Sequence, residues 1–70
     1  MNSPVDNILK YFRYEHLPAD LQKISKLCHT LAIQMTKECE HNAELTAGLR
    51  KLLEAKDCFV RANLDTLKKS

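Results

Sequence analysis

The chain has few of the residues that interrupt or cross-link a fold. Its 70 residues include one glycine, two prolines and three cysteines. With no low-complexity run, this composition argues against disorder, and only the end, Lys68-Lys69-Ser70, has the character of a tail. The cysteines, Cys28, Cys39 and Cys58, are odd in number and widely spaced. They therefore favour a reduced protein over a disulfide framework.

Long apolar runs and a strong charge bias are also missing. No stretch approaches the roughly 20 apolar residues of a membrane span. Asp6, Lys10 and Arg13 interrupt any apolar run near the start that could serve as a secretory signal. Eleven basic and nine acidic side chains give a net charge of +2, which is too balanced for a general nucleic-acid coat. We expect a soluble, cytoplasmic protein that binds neither membranes nor duplex nucleic acid.

Motifs for catalysis and metal binding are absent as well. The chain has no phosphate-cradling glycine loop, no nucleophile in a recognisable motif and no carboxylate pair in an expected cleft. Cys39 and His41 are one residue apart and Cys28 adjoins His29. Structural zinc, however, needs four ligands with close paired spacing. We expect a non-enzymatic protein without a metal or cofactor.

What the sequence does contain is helical periodicity bounded by clear start signals. Ser3 as the N-cap and Pro4 at the first helical position predict a short helix through about Phe12. Pro18 begins a second helix that runs to about Cys39. The apolar seam of this helix alternates spacings of three and four residues: Leu21, Ile24, Cys28, Leu31 and Met35.

A third helix follows the turn at Glu40-His41-Asn42. Asn42 can cap this helix, which we expect to reach about Leu67. No segment has the alternating pattern of a strand. The prediction is an all-α fold, an antiparallel helical hairpin with a short N-terminal helix. Residues 1–16 form the short helix and an aromatic junction, and residues 17–70 form the hairpin.

A heptad of small residues runs along the third helix beside a heptad of large ones. The small residues are Gly48, Ala55 and Ala62, and the large ones are Leu45, Leu52 and Phe59. This pattern lets another helix approach closely. Further apolar residues outside the main seam suffice for a second contact face: Ala32, Ile33, Leu53, Val60 and Leu64. Because so short a domain buries only about 60% of its unfolded surface, we expect at least a homodimer.

The junction holds three of the four aromatic residues, in the run Tyr11-Phe12-Arg13-Tyr14-Glu15-His16. Planar rings next to a cation suit stacking on a base while a phosphate is neutralised. Alternatively, Phe12 and Tyr11 fasten the first helix to the hairpin, since most rings are core residues. Tyr14 lies just outside the regular helices, where its ring can face a pocket.

Polar side chains on the two long helices are the other candidates. On the second helix, Lys26 can hold a phosphate and His29 can add a hydrogen bond, although a solvated helix face explains both equally. On the third helix, basic and acidic residues recur at helical intervals: Arg50, Glu54, Asp57 and Arg61. Intrahelical ion pairs account for the last three. Lys56 falls close to the seam, where its ammonium can snorkel outward or serve an interface cavity.

Two blocks of the chain resemble a known family. The first is Phe12-x-Tyr14-x-His16-Leu17-Pro18 followed by Leu21-Gln22. The second is Glu44-Leu45-Thr46 followed by Leu49-Arg50-Lys51-Leu52-Leu53-Glu54-Ala55-Lys56-Asp57. In this order they are similar to small phage hairpin proteins, which include sponges that sequester cyclic nucleotides and so disarm the CBASS and Thoeris bacterial defences. The resemblance covers roughly residues 12 to 67.

The resemblance implies a helical homo-oligomer, typically a hexamer, that binds cyclic di- or trinucleotides between protomers without cleaving them. It assigns base stacking to Tyr14, with Phe12 or His16 as possible partners, and phosphate contact to Lys26. Four further residues are candidates for phosphate or polar contacts with the ligand: Arg13, His29, Arg50 and Lys51, the last of which matches a lysine that recurs in related chains. Better-known sponges read Gly-Tyr-Arg where this chain has Arg13-Tyr14-Glu15. An alternative reading is an oligomeric adaptor or regulator that binds a protein through its apolar helix face.

Overall fold

The computed structural model describes residues 3–69, and within them the fold is all-α as predicted. Helix α1 spans Pro4–Leu9 and continues as a single 3₁₀ turn, Lys10–Phe12. Helix α2 spans Ala19–Glu38, and helix α3 spans Ala43–Lys69. No strand occurs in this part of the chain. None of its helices is long and apolar enough to span a membrane.

Helix α1 begins at the predicted N-cap. The Ser3 hydroxyl accepts a hydrogen bond from the Asp6 N–H at 3.1 Å, and the Asp6 carboxylate accepts one from the Ser3 N–H at 3.4 Å. This reciprocal arrangement satisfies two backbone donors that a helix start otherwise leaves free. Pro4 at the first position fixes a backbone angle suited to the helix. The predicted end at Phe12 is reached through the 3₁₀ turn.

The two long helices form the predicted antiparallel hairpin. Pro18 is the N-cap of α2, and the Asn42 side chain caps α3 by accepting a hydrogen bond from the Leu45 N–H at 3.0 Å. At the far end of the hairpin, the Asn63 side-chain amide donates to the Asp20 carbonyl at 3.2 Å. This bond ties the last third of α3 to the first turn of α2.

The core lies where α1 and the 3₁₀ turn pack against one side of the hairpin. Its buried apolar residues are Val5, Phe12, Cys28, Ala32, Leu45 and Leu49. Phe12 is 0% exposed and is the largest fully buried side chain. It packs with the hairpin on the side where α2 has small residues, Ser25 and Ala32, both also 0% exposed. The N-terminal segment is therefore a third layer of the core.

The predicted seam of α2 is confirmed at Cys28, which is buried, with Leu21 and Ile24 half-buried, but its second half is wrong. Leu31 and Met35 are 40% and 43% exposed, whereas Ala32, expected outside the seam, is fully buried. The physical reason is the packing of Phe12, which needs the space beside short side chains. This packing rotates α2 so that its small residues face the core and its larger ones face outward.

The opposite side of the hairpin is an open apolar face. We use this name for seven residues of α2 and α3: Leu27, Leu31, Met35, Gly48, Leu52, Phe59 and Ala62. They line two adjoining grooves of about 470 and 450 Å³ that share Leu31 and Leu52. No atom outside the local helix backbone lies within 4 Å of the point where a Cβ on Gly48 would stand. Gly48 and Ala62, two of the three small residues of the heptad, therefore lie on the open side of the single chain.

The burial of Cys28 gives a direct test of this core. Cys28 is buried, whereas Cys58 is exposed. Burial raises the pKa of the Cys28 thiol, and the positive charge of Lys56 partly opposes the rise. Since the thiolate is the reactive form, we expect iodoacetamide to label Cys28 at least about tenfold more slowly than Cys58 at neutral pH. Peptide mass spectrometry checks this, and equal rates would place Cys28 outside the core.

Candidate functional site

The junction between Phe12 and α2 folds back over the start of the hairpin. The Leu17 N–H donates to the Tyr14 carbonyl at 3.0 Å, which closes a turn. The Gln22 side-chain amide then donates to the Leu17 carbonyl at 2.8 Å and to the Glu15 carbonyl at 3.4 Å. Gln22 therefore holds the junction in place from one turn inside α2.

Tyr14 and His29 are brought together by this turn. Their ring centroids are 5.4 Å apart and the planes meet at 65°, an edge-to-face arrangement. Both side chains are half-buried. The contact fixes the Tyr14 ring while leaving part of it accessible, as a stacking platform for a base requires. Two of the residues selected from the sequence therefore form one unit.

Glu15 is turned toward its own backbone. Its carboxylate accepts a hydrogen bond from the Tyr14 N–H at 3.2 Å. The main cause that lowers the pKa of Glu15 is a hydrogen bond from its own backbone N–H. The hydrogen bond from the Tyr14 N–H and the electrostatic interactions with His29 and Arg13 lower this pKa further by smaller amounts. A carboxylate with a lowered pKa stabilises the folded junction above its unfolded pKa, and this contribution is lost as pH falls through the folded value.

Arg13 and His16 face a pocket of about 270 Å³ between the junction, α2 and α3. We call it the cationic pocket. Its lining is Tyr11, Arg13, His16, Leu17, Ser25, Lys56, Asp57, Val60 and Arg61. Three permanent cations and one carboxylate leave the lining with a net positive charge even when His16 is neutral. The pocket is thus suited to an anionic group.

Lys56 is the most constrained cation of the pocket. Its ammonium donates to the Tyr11 carbonyl at 2.9 Å, lies 5.9 Å from the centroid of the Phe12 ring and is 3.9 Å from the Asp57 carboxylate. Its side chain is only 13% exposed. The sequence placed Lys56 near the apolar seam but did not identify it as a site residue. Its contact with a residue 45 positions earlier exists only in the folded chain.

The remaining predicted site residues are dispersed. Phe12 is fully buried, so its ring offers no face to a ligand, and the structural role considered for it accounts for its position. Lys26 lines a separate groove on the outside of α2. Arg50 lies beside the start of α1 and the turn between the long helices. Lys51 is exposed on α3.

No cluster of three or more potential metal-binding side chains forms in the part of the chain that the structure describes. Comparison with models of protein families, with curated proteins and with solved structures gave no match. The site must therefore be interpreted from its own geometry and from the resemblance of the two sequence blocks.

Proposed function

We propose that this chain binds and sequesters cyclic oligonucleotide signals, without cleaving them, as a helical homo-oligomer. The observation that carries the proposal is the half-buried Tyr14 ring, which is held against His29 in the same junction whose residues Arg13 and His16 line a pocket of net positive charge. A cyclic di- or trinucleotide presents flat bases and two or three phosphates. Stacking and charge-assisted hydrogen bonding are the interactions that such a ligand needs.

Binding without chemistry requires only tight and selective capture. A protein that holds the signal more tightly than its receptor does will lower the free signal concentration by mass action. Among the described residues, none combines a nucleophile and a base in the cationic pocket in a way that suggests hydrolysis. The proposal therefore places this chain with sponge-type inhibitors of cyclic-nucleotide defences, as the sequence resemblance implies.

The open apolar face supports the homo-oligomer. The chain has an accessible surface of 5304 Å², whereas a compact monomer of 8.1 kDa exposes about 4,500 Å². The excess, about 800 Å², matches the roughly 800 Å² that each partner buries in a standard dimer interface. Four of the large exposed apolar side chains, Leu27, Leu31, Met35 and Phe59, line the apolar grooves. A second copy of the chain is the occupant we propose. The hexamer implied by the resemblance would need a further contact.

The heptads of α3 favour an antiparallel contact with α3 of the second copy. Antiparallel pairing places each large position opposite a small one. In the register that sets Leu52 opposite the partner's Ala55, Phe59 lies opposite the partner's Gly48. The largest side chain of the seam then meets the residue without a side chain. Such large-against-small pairing gives the interdigitation that close helix packing requires.

A second function, an adaptor for another protein, rests on the same open apolar face. The apolar side of an amphipathic helix from a partner protein would fit these grooves. This function makes no use of Tyr14 or of the cationic pocket. The two proposals therefore predict different effects of substitutions at the junction.

Tyr14→Ala is expected to weaken cyclic-nucleotide binding by about tenfold to a hundredfold, because stacking on an aromatic ring contributes about 1–3 kcal/mol per base. The test is isothermal titration of the purified protein with a panel of cyclic di- and trinucleotides. Ligand recovered after heat denaturation should be intact.

Tyr14→Phe is the matched control, since it keeps the ring and removes only the hydroxyl. We expect its affinity to stay within about threefold of the original protein. If no member of the panel binds the original protein, the nucleotide proposal fails. The adaptor then becomes the better account of the open apolar face.

A further inference from the structure

We propose that the cationic pocket is a phosphate-binding subsite in which the buried Ser25 hydroxyl, Lys56 and Arg61 hold one phosphate group. The sequence indicates Lys56 only as a residue whose ammonium can serve an interface cavity, and it gives neither Ser25 nor Arg61 a ligand-binding role. The identity of the ligand rests on the proposed function, whereas the subsite itself follows from the geometry of the pocket.

The first observation is a buried, unpaired hydroxyl on a residue that lines the pocket. Ser25 is 0% exposed, and its Oγ has no hydrogen-bond partner. A serine inside a helix normally bonds back to the carbonyl one turn earlier or points to solvent. Here it does neither, while Thr36 on the same helix does bond back to the Ala32 carbonyl at 2.8 Å. Buried polar groups are nearly always paired, so this hydroxyl marks a position suited to a bound oxygen.

The second observation is the set of cations that line the same pocket as this hydroxyl. Lys56 is held by the Tyr11 carbonyl, so little conformational freedom remains for it to lose on binding. Arg61 donates one N–H to the Cys58 sulfur at 3.3 Å. Sulfur is a weak hydrogen-bond acceptor. Its other donors suit the two-pronged contact that arginine makes with phosphate. Arg13, from the junction, also lines the pocket and adds a third cation.

The charge and size of the pocket select the ligand class. Asp57 is the one acidic residue of the lining, and its carboxylate lies 3.9 Å from the Lys56 ammonium. The lining therefore remains positive overall. A volume of about 270 Å³ falls below the range of roughly 300–1,000 Å³ for whole drug-sized ligands. The pocket fits one phosphate group of a larger ligand whose bases lie outside, next to Tyr14.

The substitution Ser25→Ala distinguishes phosphate binding by the Ser25 hydroxyl from a purely structural role of this residue. Removing an unpaired buried hydroxyl leaves the free energy of unfolding unchanged or higher, because no hydrogen bond is lost. Removing a hydrogen bond to a charged phosphate weakens binding by about tenfold or more. A purely structural serine would not produce these opposite changes. Arg61→Gln, at an exposed position, should weaken binding by about threefold to tenfold.

The probe is inorganic pyrophosphate, added to the ¹⁵N-labelled full chain at low ionic strength and followed by amide chemical shifts. We expect shifts at Arg13, Ser25, Lys56 and Arg61, with weaker binding in Ser25→Ala and Arg61→Gln. Lys68→Gln, which removes one exposed cation of α3 outside the pocket, is the matched control and should bind within about twofold of the original. Thermal unfolding of each variant confirms that the fold persists.

The outcomes separate the subsite from the proposed function. Pyrophosphate shifts in the pocket with no binding of any cyclic nucleotide would support the subsite and overturn the nucleotide proposal. Cyclic-nucleotide binding that is unaffected by Ser25→Ala would support the nucleotide proposal and overturn the subsite. Pyrophosphate shifts confined to Lys26 or Lys51 would likewise overturn it.

Discussion

Replacing Gly48 by leucine is expected to dissociate the proposed dimer while leaving the single chain folded. Nothing in the chain lies within 4 Å of the added Cβ. Within the helix, the loss of glycine is favourable by about 0.5–1 kcal/mol. At the antiparallel contact, the new side chain would occupy the space of the partner's Phe59. Overpacking costs about 1–3 kcal/mol at each of two symmetric positions, so the dimer Kd should rise about 30-fold or more.

Sedimentation velocity at several protein concentrations measures this change, and urea unfolding at one fixed concentration measures the stability of the chain. Gly48→Ala is the control. It brings a similar gain in helix propensity but adds only a methyl group, so it should dissociate the dimer far less than leucine does. A Gly48→Leu protein that dimerises as tightly as the original would rule out the proposed α3 contact. A second copy would then have to dock elsewhere on the open apolar face.

The sequence predicts the helices of this chain well because their limits depend on local chemistry. Ser3, Pro4, Pro18 and Asn42 act within one turn of their own positions. The starts of all three helices therefore follow from residue types that can be read directly, whereas α3 extends to Lys69, past the predicted end near Leu67. The same holds for the hairpin, which results from two long helices and a connection too short for any other geometry.

The orientation of α2 could not be predicted in this way. Hydrophobic periodicity assigns the core to the largest apolar residues, which favours Leu31 and Met35. The folded chain instead buries Ala32 and Ser25 and leaves Leu31 and Met35 exposed. Which face is inside is decided by Phe12, a residue of another segment, and by the space that its ring needs. The hydrophobic periodicity of α2 alone does not indicate which of its faces packs against Phe12.

The candidate site also contains some residues that local sequence signals indicate and others that only the folded chain brings together. Arg13 and His16 were selected from the sequence because they are neighbours in the chain, and they line one pocket. Lys56 and Arg61 reach that pocket from α3, about 40 residues away in sequence. The sequence assigns Arg61 to an intrahelical ion pair and places Lys56 near the seam, but it does not indicate which residues surround either side chain. Ser25 gave no signal, since an unpaired hydroxyl can be recognised only when its surroundings are known.

Phe12→Ala is expected to be the most destabilising single substitution in the chain. Truncating a fully buried phenylalanine costs about 3–5 kcal/mol, whereas a chain of this length has a total stability of about 3.5–10 kcal/mol. The ring joins the N-terminal segment to both long helices, so its loss should also release α1. Urea unfolding followed by far-ultraviolet circular dichroism, at a fixed protein concentration, measures the change.

Tyr11→Ala is the matched control, because Tyr11 precedes Phe12 directly but is 59% exposed. Its side chain contributes little to the core, and the Lys56 bond goes to its carbonyl, which alanine retains. We expect a loss of no more than about 1 kcal/mol. If Phe12→Ala and Tyr11→Ala proved equally mild, the N-terminal segment would not be part of the stabilising core. The hairpin would then depend on contacts across its open apolar face, and unfolding would shift strongly with protein concentration.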